Sequence, residues 1–471
     1  MMMRDLKYAP FLAVVLTAVA ACTSPVGPQD SLIKSPSLWQ RLGGATPTVD
    51  LNAPLATGPE VEVDHKWWEH FDDPTLDVII TGALANNKTL QIAKARVEEA
   101  RAGRRAAQSL LLPQINGSMG AQRANLGYFT NDQEISFSEA EVVASWEFDL
   151  FGRNQARTAA ATAILQSEEA TRHAVRVGLL AEVARDYFEM RNYERQIDLT
   201  KQNLETQKKT LELLQAQMQE TKASDLDVQR AKAQVSTTES LIPALQTAYD
   251  ASLNRLNLLS GYPPGSRDAL LKTTQELKPL NHHILIAAPA KVLATRPDLR
   301  AAERRFAASI SAKYVAQTGW FPDISLTAFF GRQAATPFSS TPWGLSAILV
   351  QPILNFGQIE AQIDAADAQQ KQAYLNYQQT VLGALENMED ALSSYLHETI
   401  RNASLTAGAA QNRKAAALVK LQYKNGYASF LDVLIAERNL LIAESSQASS
   451  DFSLRNDLVN IYAAAGGGWS D

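Results

Sequence analysis

The chain carries the same text twice. Leu112-Pro113-Gln114-Ile115 returns as Phe321-Pro322-Asp323-Ile324, and Phe151-Gly152 returns as Phe356-Gly357. Ala223-Ser224-Asp225-Leu226-Asp227-Val228 returns as Ala428-Ser429-Phe430-Leu431-Asp432-Val433. The offset is about 205 residues at three separated points, far too long for a solenoid repeat. It is the mark of a duplicated half-protein. Each half reads in one order: helix, two strands, a very long helix, a turn, a second long helix. The expected fold is mainly α with a small β part.

The strands alternate with period two. In the first, Ile115, Gly117, Met119 and Ala121 share one face, while Asn116, Ser118 and Gln122 share the other. Val142, Ala144, Trp146, Phe148 and Leu150 oppose Ser145, Glu147 and Asp149. Ile324, Leu326, Ala328 and Phe330 oppose Ser325 and Thr327, and Trp343, Leu345, Ala347 and Leu349 form the last apolar face. Four strands are therefore expected, at 113–123, 142–150, 322–331 and 343–353. An apolar face with aromatics backed by a polar face suits either a soluble sandwich or a lipid-facing barrel with a wet lumen. The strands alone favour the sandwich. The export signal described below and the shortage of strands reverse that preference. Trp146, Phe148, Phe330 and Trp343 are then expected on the outer wall of a barrel, since aromatics belong at membrane interfaces.

From about Asn154 to Lys222 there is no proline, and only Gly178 interrupts. At about 1.5 Å per residue this is a helix of roughly 100 Å. Val183, Met190, Ile197, Leu204, Leu211 and Met218 recur every seventh residue, a seam that implies left-handed supercoiling against a neighbour. A matching stretch runs from about Gln358 to Lys424, with Gly426 as its stop. Asp225 and Ser429 are the expected caps of the returning helices. Another helical pattern runs from Asp73-Pro74 to about Leu112. Gly261-Tyr262-Pro263-Pro264-Gly265 breaks the chain between the halves, and Arg296-Pro297-Asp298 restarts it.

The N-terminus reads as an export signal. Arg4 and Lys7 precede the short apolar run Phe11–Leu16, and the small-residue segment Val19-Ala20-Ala21-Cys22 follows. That run is too short to span a bilayer. It resembles a bacterial lipobox, which implies cleavage before Cys22 and covalent lipid on that residue, the chain's single cysteine. Thr23, not aspartate, follows it. The expected organisation is a signal at 1–21, a lipidated tether at 22–66 rich in Pro, Ser, Thr and Gly, and a first repeat at 67–260. A linker at 261–296, a second repeat at 297–465 and a tail at 466–471 complete it. No later apolar run is long enough for a transmembrane helix, so only a closed β-barrel could cross a membrane. The net charge of −6 argues against a nucleic-acid partner.

Catalytic chemistry is not expected. With six histidines and one cysteine, only His282-His283 forms an adjacent pair, a poor basis for a metal site. There is no phosphate loop and no nucleophile elbow, and Asp225-Leu226-Asp227 is too sparse for a calcium loop. No metal and no cofactor is expected beyond lipid on Cys22.

Several weak motifs lie in order on this duplicated frame: Trp68 with Phe71-Asp72-Asp73-Pro74-Thr75-Leu76, Ala93-Lys94-Ala95-Arg96-Val97, Arg296-Pro297-Asp298-Leu299-Arg300-Ala301-Ala302-Glu303, both Phe-Gly turns, and Gly466-Gly467-Gly468-Trp469. With these the chain resembles outer-membrane efflux proteins of the TolC superfamily, in particular the lipid-anchored branch that serves resistance-nodulation-division (RND) pumps. The resemblance implies a homotrimer with a twelve-stranded β-barrel in the outer membrane, an α-barrel across the periplasm, a periplasmic adaptor and an inner-membrane RND transporter. Four strands cannot close a barrel alone, which independently requires more than one copy. The implied function is a passive exit duct for small molecules. A duct for a protein-secretion exporter and a periplasmic coiled-coil spacer without a pore are the alternatives. The resemblance also implies a gate at the periplasmic turns. There Asp432 matches an acidic-ring position, Tyr423 the linking aromatic and Asp227 its partner. Ala428 stands where some members carry a linking arginine and Ile435 where an acidic residue often follows, so Leu431 and Ile435 are expected to close the pore by packing.

Overall fold

The computed structural model describes residues 65–125, 134–220, 224–272, 278, 280, 289–335 and 338–469. Cys22, the tether up to residue 64 and His282-His283 lie outside the described residues. The first described element is a short 3-10 turn, Trp67–Phe71. Asp73 then opens helix α1 (Pro74–Asn86), its carboxylate accepting from the backbone N–H of Thr75 at 2.9 Å. The helix expected to run on to Leu112 is broken at Asn87, where the backbone turns extended and helix α2 (Lys88–Ser109) starts afresh. The side chain of Asn87 causes the break. It accepts from Leu90 N–H at 3.0 Å and donates to Leu259 O at 2.8 Å, bonds that compete with a continuous helix.

The duplication is exact in the long helices. Helices α3 (Arg153–Gln219) and α8 (Gln358–Lys424) each have 67 residues. Helices α4 (Asp225–Leu259) and α9 (Phe430–Ala464) each have 35. Gly152 and Gly357 precede the long members with φ of 73° and 86°, a left-handed entry that glycine adopts without steric cost. Ser224, rather than the expected Asp225, caps α4, because its hydroxyl reaches Asp227 N–H at 3.1 Å. Ser429 caps α9 as expected. Even ion pairs repeat: Lys208 meets Glu239 at 3.2 Å, and Arg413 meets Glu444 at 2.6 Å at the corresponding places. The seven-residue seam of α3 is buried from Val183 to Leu204, half-buried at Leu211 and exposed at Met218.

Short helices α5 (Asp268–Leu271) and α6 (Pro289–Thr295) lie between the halves, followed by α7 (Pro297–Gln317). The main hydrophobic core gathers Trp67, Leu76, Phe188, Leu256, Met388 and Leu458, drawn from six elements. The weak motifs converge beside it. Trp67 stacks on Tyr462 with centroids 5.3 Å apart, and Tyr187 donates to Asp73 at 2.6 Å. Arg296 donates to Ala464 O at 2.8 Å, and Arg176 donates to Gly468 O at 2.8 Å. A Cβ on Gly468 would come within 2.4 Å of Leu180 Cδ1, so the run of glycines lets the tail lie flat on α3. A second, smaller core of Leu214, Val228, Ala231, Phe430 and Val433 ties the two hairpin tips together.

The β part is one antiparallel sheet. Strands β1 (Gln114–Asn125), β2 (Glu134–Glu147) and β3 (Asp323–Ala335) pair in sequence order. The short β4 (Phe338–Ser340) and then β5 (Trp343–Val350) pair along β3. The second strand therefore begins well before 142 and ends at Glu147. Phe148–Leu150 turn out of it: Phe148 N–H still reaches Ile324 O at 2.8 Å, but Leu150 N–H bonds back to Phe148 O at 2.8 Å. The last strand stops at Val350 rather than 353, just before Gln351-Pro352, since proline lacks the donor a ladder needs.

Candidate functional site

Register decides which side chains share a face of the sheet. Gly117, Val142, Phe330 and Trp343 are successive cross-strand partners, as are Ile115, Ala144, Ala328 and Leu345. Trp146 pairs with Leu326 and lies on the same face. Among the described residues no second layer covers this apolar face. Met119 is 89% exposed, Trp343 is 76% exposed, and Leu345, Phe330 and Leu349 are also open. Trp146 is the exception. Its indole is half-buried against the end of α2, donating to Leu111 O at 3.1 Å and meeting Phe148 edge-on at 5.4 Å. The opposite face carries Gln114, Ser118, Glu139, Glu141, Ser145 and Thr327, with the Ser118 hydroxyl donating to Glu141 at 3.3 Å. The first face is largely apolar, and the second mixes these polar groups with Val143, Phe329 and Ile348.

The hairpin tips hold the second group. Helix α9 starts with a capping box in which Ser429 and Asp432 bond reciprocally. Asp432 accepts from Ser429 N–H at 2.9 Å and from its hydroxyl at 2.6 Å. These bonds hold the Asp432 carboxyl below its ordinary pKa within one subunit. Leu431 and Ile435 point outward beside it and are exposed. Tyr423 is half-buried against Phe430, with ring centroids 5.8 Å apart. Its hydroxyl donates to Gln217 at 3.3 Å and not to Asp227, whose carboxylate is taken by the Ser224 hydroxyl at 2.6 Å. Burial first, and the negative charge of Asp227 second, push the Tyr423 phenol up from its ordinary pKa. Gln217 carries no motif of its own. Its only sequence signal is its place in the last turn of α3, level with the end of α8 on the repeated frame. Glu437, buried and paired with Lys420 at 2.9 Å, was equally silent in the sequence.

The described residues offer no cluster of three or more His, Cys, Asp or Glu side chains suited to a metal ion. No described helix is long and apolar enough to cross a membrane.

The family profile described as outer membrane efflux protein matches residues 79–262 and 288–467, one stretch for each half. The chain belongs to that family. It is an outer-membrane channel protein of an efflux system, and its mainly α fold with a small sheet is that of the solved channels. The structure of the outer-membrane channel OprN superimposes with a TM-score of 0.83 at 29% identity, covering 95% of this chain and 100% of that one. The pyoverdine export outer membrane protein OpmQ of Pseudomonas aeruginosa is 29% identical over 96% of this chain and 95% of its own length. The cation efflux system protein CusC of Escherichia coli is 28% identical over 86% of this chain and 88% of its own. The family is one of transport channels, not enzymes.

Proposed function

We propose that three copies of this chain close a β-barrel in the outer membrane and form the passive exit duct of a tripartite pump. The partners are a periplasmic adaptor and an inner-membrane RND transporter, and the cargo is small molecules. The carrying observation is the sheet. Its apolar face is uncovered, and the outer edges of β1 and β5 have no partner strand among the described residues. Open edges and bare backbone cannot stand in hydrocarbon, so further copies must supply the missing strands. Trp343 and Phe330 then face lipid, with Trp146 and Phe148 at the rim, and the Glu141 face lines the lumen. Relatives named for pyoverdine export and cation efflux support a small-molecule cargo.

The lipid-anchored branch is part of the reading. Val19-Ala20-Ala21-Cys22 supports cleavage before Cys22 and lipid on that residue, as an anchor auxiliary to the barrel. The hairpin tips are the gate, with Asp432 as a single charge ring, Leu431 and Ile435 as its apolar packing, and Tyr423 held near Asp227. Spin labels at Phe330 and Thr327 in the reconstituted protein test the barrel. Lipid-soluble quencher should reach the first site and aqueous quencher the second, together with ion conductance in a planar bilayer. The reverse pattern, or a protein that never conducts, overturns the duct.

A further inference from the structure

The sheet sorts its charges by face. Among the described residues its strands carry two basic side chains, Arg123 on β1 and Arg332 on β3. Glu139, Glu141, Glu147 and Asp323 stand on the face of Ser118 and Thr327. Both arginines stand on the other face, in line with Met119 and Phe330. A guanidinium turned toward hydrocarbon is destabilising at mid-depth and close to neutral at the membrane rim, so its place on that face is informative.

The two arginines are one position of the duplicated text. Arg123 lies ten residues after Pro113, and Arg332 ten after Pro322. Arg123 pairs with Ser136 and Arg332 with Ala140, four residues further along β2. Strand tilt introduces a stagger of this kind between like positions of a barrel, so the two arginines stand at similar height. That height is the end of the sheet remote from the helices, which join it at Gln114, Glu147, Asp323 and Val350. Along β3 the apolar column of Leu326, Ala328 and Phe330 gives way there to Arg332. Gly331 fixes the root of that side chain. Its N–H donates to Pro342 O at 2.9 Å, and a Cβ on it would come within 2.8 Å of Ala140 O. Arg332 itself is exposed. Arg123 is ion-paired with Glu134. On the offset of the Phe-Gly turns, the counterpart of Glu134 is Ser339. The neighbours of Arg332 on its own face, Ser138, Ala140, Val142, Phe330 and Ala334, include no acid.

We propose that Arg123 and Arg332 bind the phosphate groups of outer-leaflet lipid headgroups, as a basic ring around the outer rim of the barrel. The proposal rests on the closed barrel proposed above, with its helices on the periplasmic side. Each copy contributes two guanidinium groups to the ring. The guanidinium fork presents paired N–H donors that match two oxygens of one phosphate. Arg332 carries the larger share, because Glu134 already engages Arg123. The exposed hydroxyls of Ser136 and Ser339 lie on the same face and can donate beside them. The acyl chains then run down over Met119, Phe330 and Trp343, all exposed. A free phosphate ion has no such chains, so the apolar column beneath the charge selects lipid.

The test uses the full chain as the purified assembled protein, and native mass spectrometry as the readout. The probes are bis-phosphorylated lipid A and the same lipid stripped of its phosphates. The phosphorylated form should bind roughly tenfold more tightly, the scale of a hydrogen bond to a charged group. Equal binding of the two lipids overturns the proposal, and this comparison does not depend on any variant folding. Arg123→Gln with Arg332→Gln should lower binding of the phosphorylated lipid to that of the stripped one. Both side chains are exposed, so planar-bilayer conductance should be retained. Arg332→Gln alone should cost more binding than Arg123→Gln alone. Unchanged binding by a conducting double variant overturns the ring and leaves the duct standing. Potassium phosphate should displace no more lipid than potassium chloride of equal ionic strength. Greater displacement assigns a free-anion site and overturns the lipid. A chain that never conducts, with a spin label at Phe330 reached by aqueous quencher, overturns both the duct and the ring.

Discussion

At the scale of single residues, Asp432 does two things that can be separated. Its carboxylate caps α9, and its charge stands at an exposed tip. Asp432→Asn keeps an oxygen for the Ser429 N–H but removes the charge. The expected outcome is weaker cation preference in planar-bilayer reversal potentials with the helix start retained. Unchanged selectivity removes Asp432 from the pore. The pH dependence has a definite sign. The capping bonds lower the folded-state pKa, so their contribution is present above the ordinary aspartate value and is lost as pH falls through the lowered one. Cation preference should accordingly persist below the pH at which a free aspartate titrates. Tyr423→Phe removes only the bond to Gln217. A hydrogen bond of this kind contributes about 1 kcal/mol, so the closed state should loosen by roughly fivefold in open probability, read from single-channel records.

At the scale of elements, Asn87 and Gly468 do the joining. Asn87→Ala removes the cap of α2 and leaves Leu259 O without its buried donor. A loss of about 1–2 kcal/mol is expected, read as a lower midpoint in denaturant. Gly468→Ala places a methyl group against Leu180 at a φ of 101° and should undock the tail from α3. Limited proteolysis would show it as a newly exposed C-terminus, while the helical signal stays. Strand ends were the least legible elements in the sequence. Alternation located the strands, because period two follows from the pleat. It could not find the early start of β2, where Phe137 falls out of phase with Val142 and Trp146 and the first residues are recruited by pairing with β1. The break at Asn87 was hidden for a similar reason, since its partner Leu259 lies on the far side of the first half.

At the scale of the whole molecule, the open sheet face argues against the spacer alternative. A coiled-coil spacer has no use for Trp343 and Leu345 standing bare on a strand. The anchor remains a distinct question with its own measurement. Mass spectrometry of the purified N-terminus should find lipid on Cys22, and an unmodified Cys22 or cleavage elsewhere overturns the branch assignment. Cys22→Ser should leave barrel insertion intact, since the strands carry it.

Sequence by itself settled what depends on local periodicity and on copying. The duplication placed two matching pairs of helices, because a repeated text repeats its serine caps and its glycine turns. The apolar faces of the strands and the family followed from the same text. Tertiary structure alone decided which partners those residues take. Tyr423 bonds to Gln217 and not Asp227, whose carboxylate instead accepts from the Ser224 hydroxyl. Trp146 leans on Leu111 because α2 ends beneath it. Phe151 and Phe356 are the same letter in the same motif, yet one is stacked and the other bare. The physical reason is that the second half lays Phe321 against Phe151, while no described residue of the chain covers Phe356.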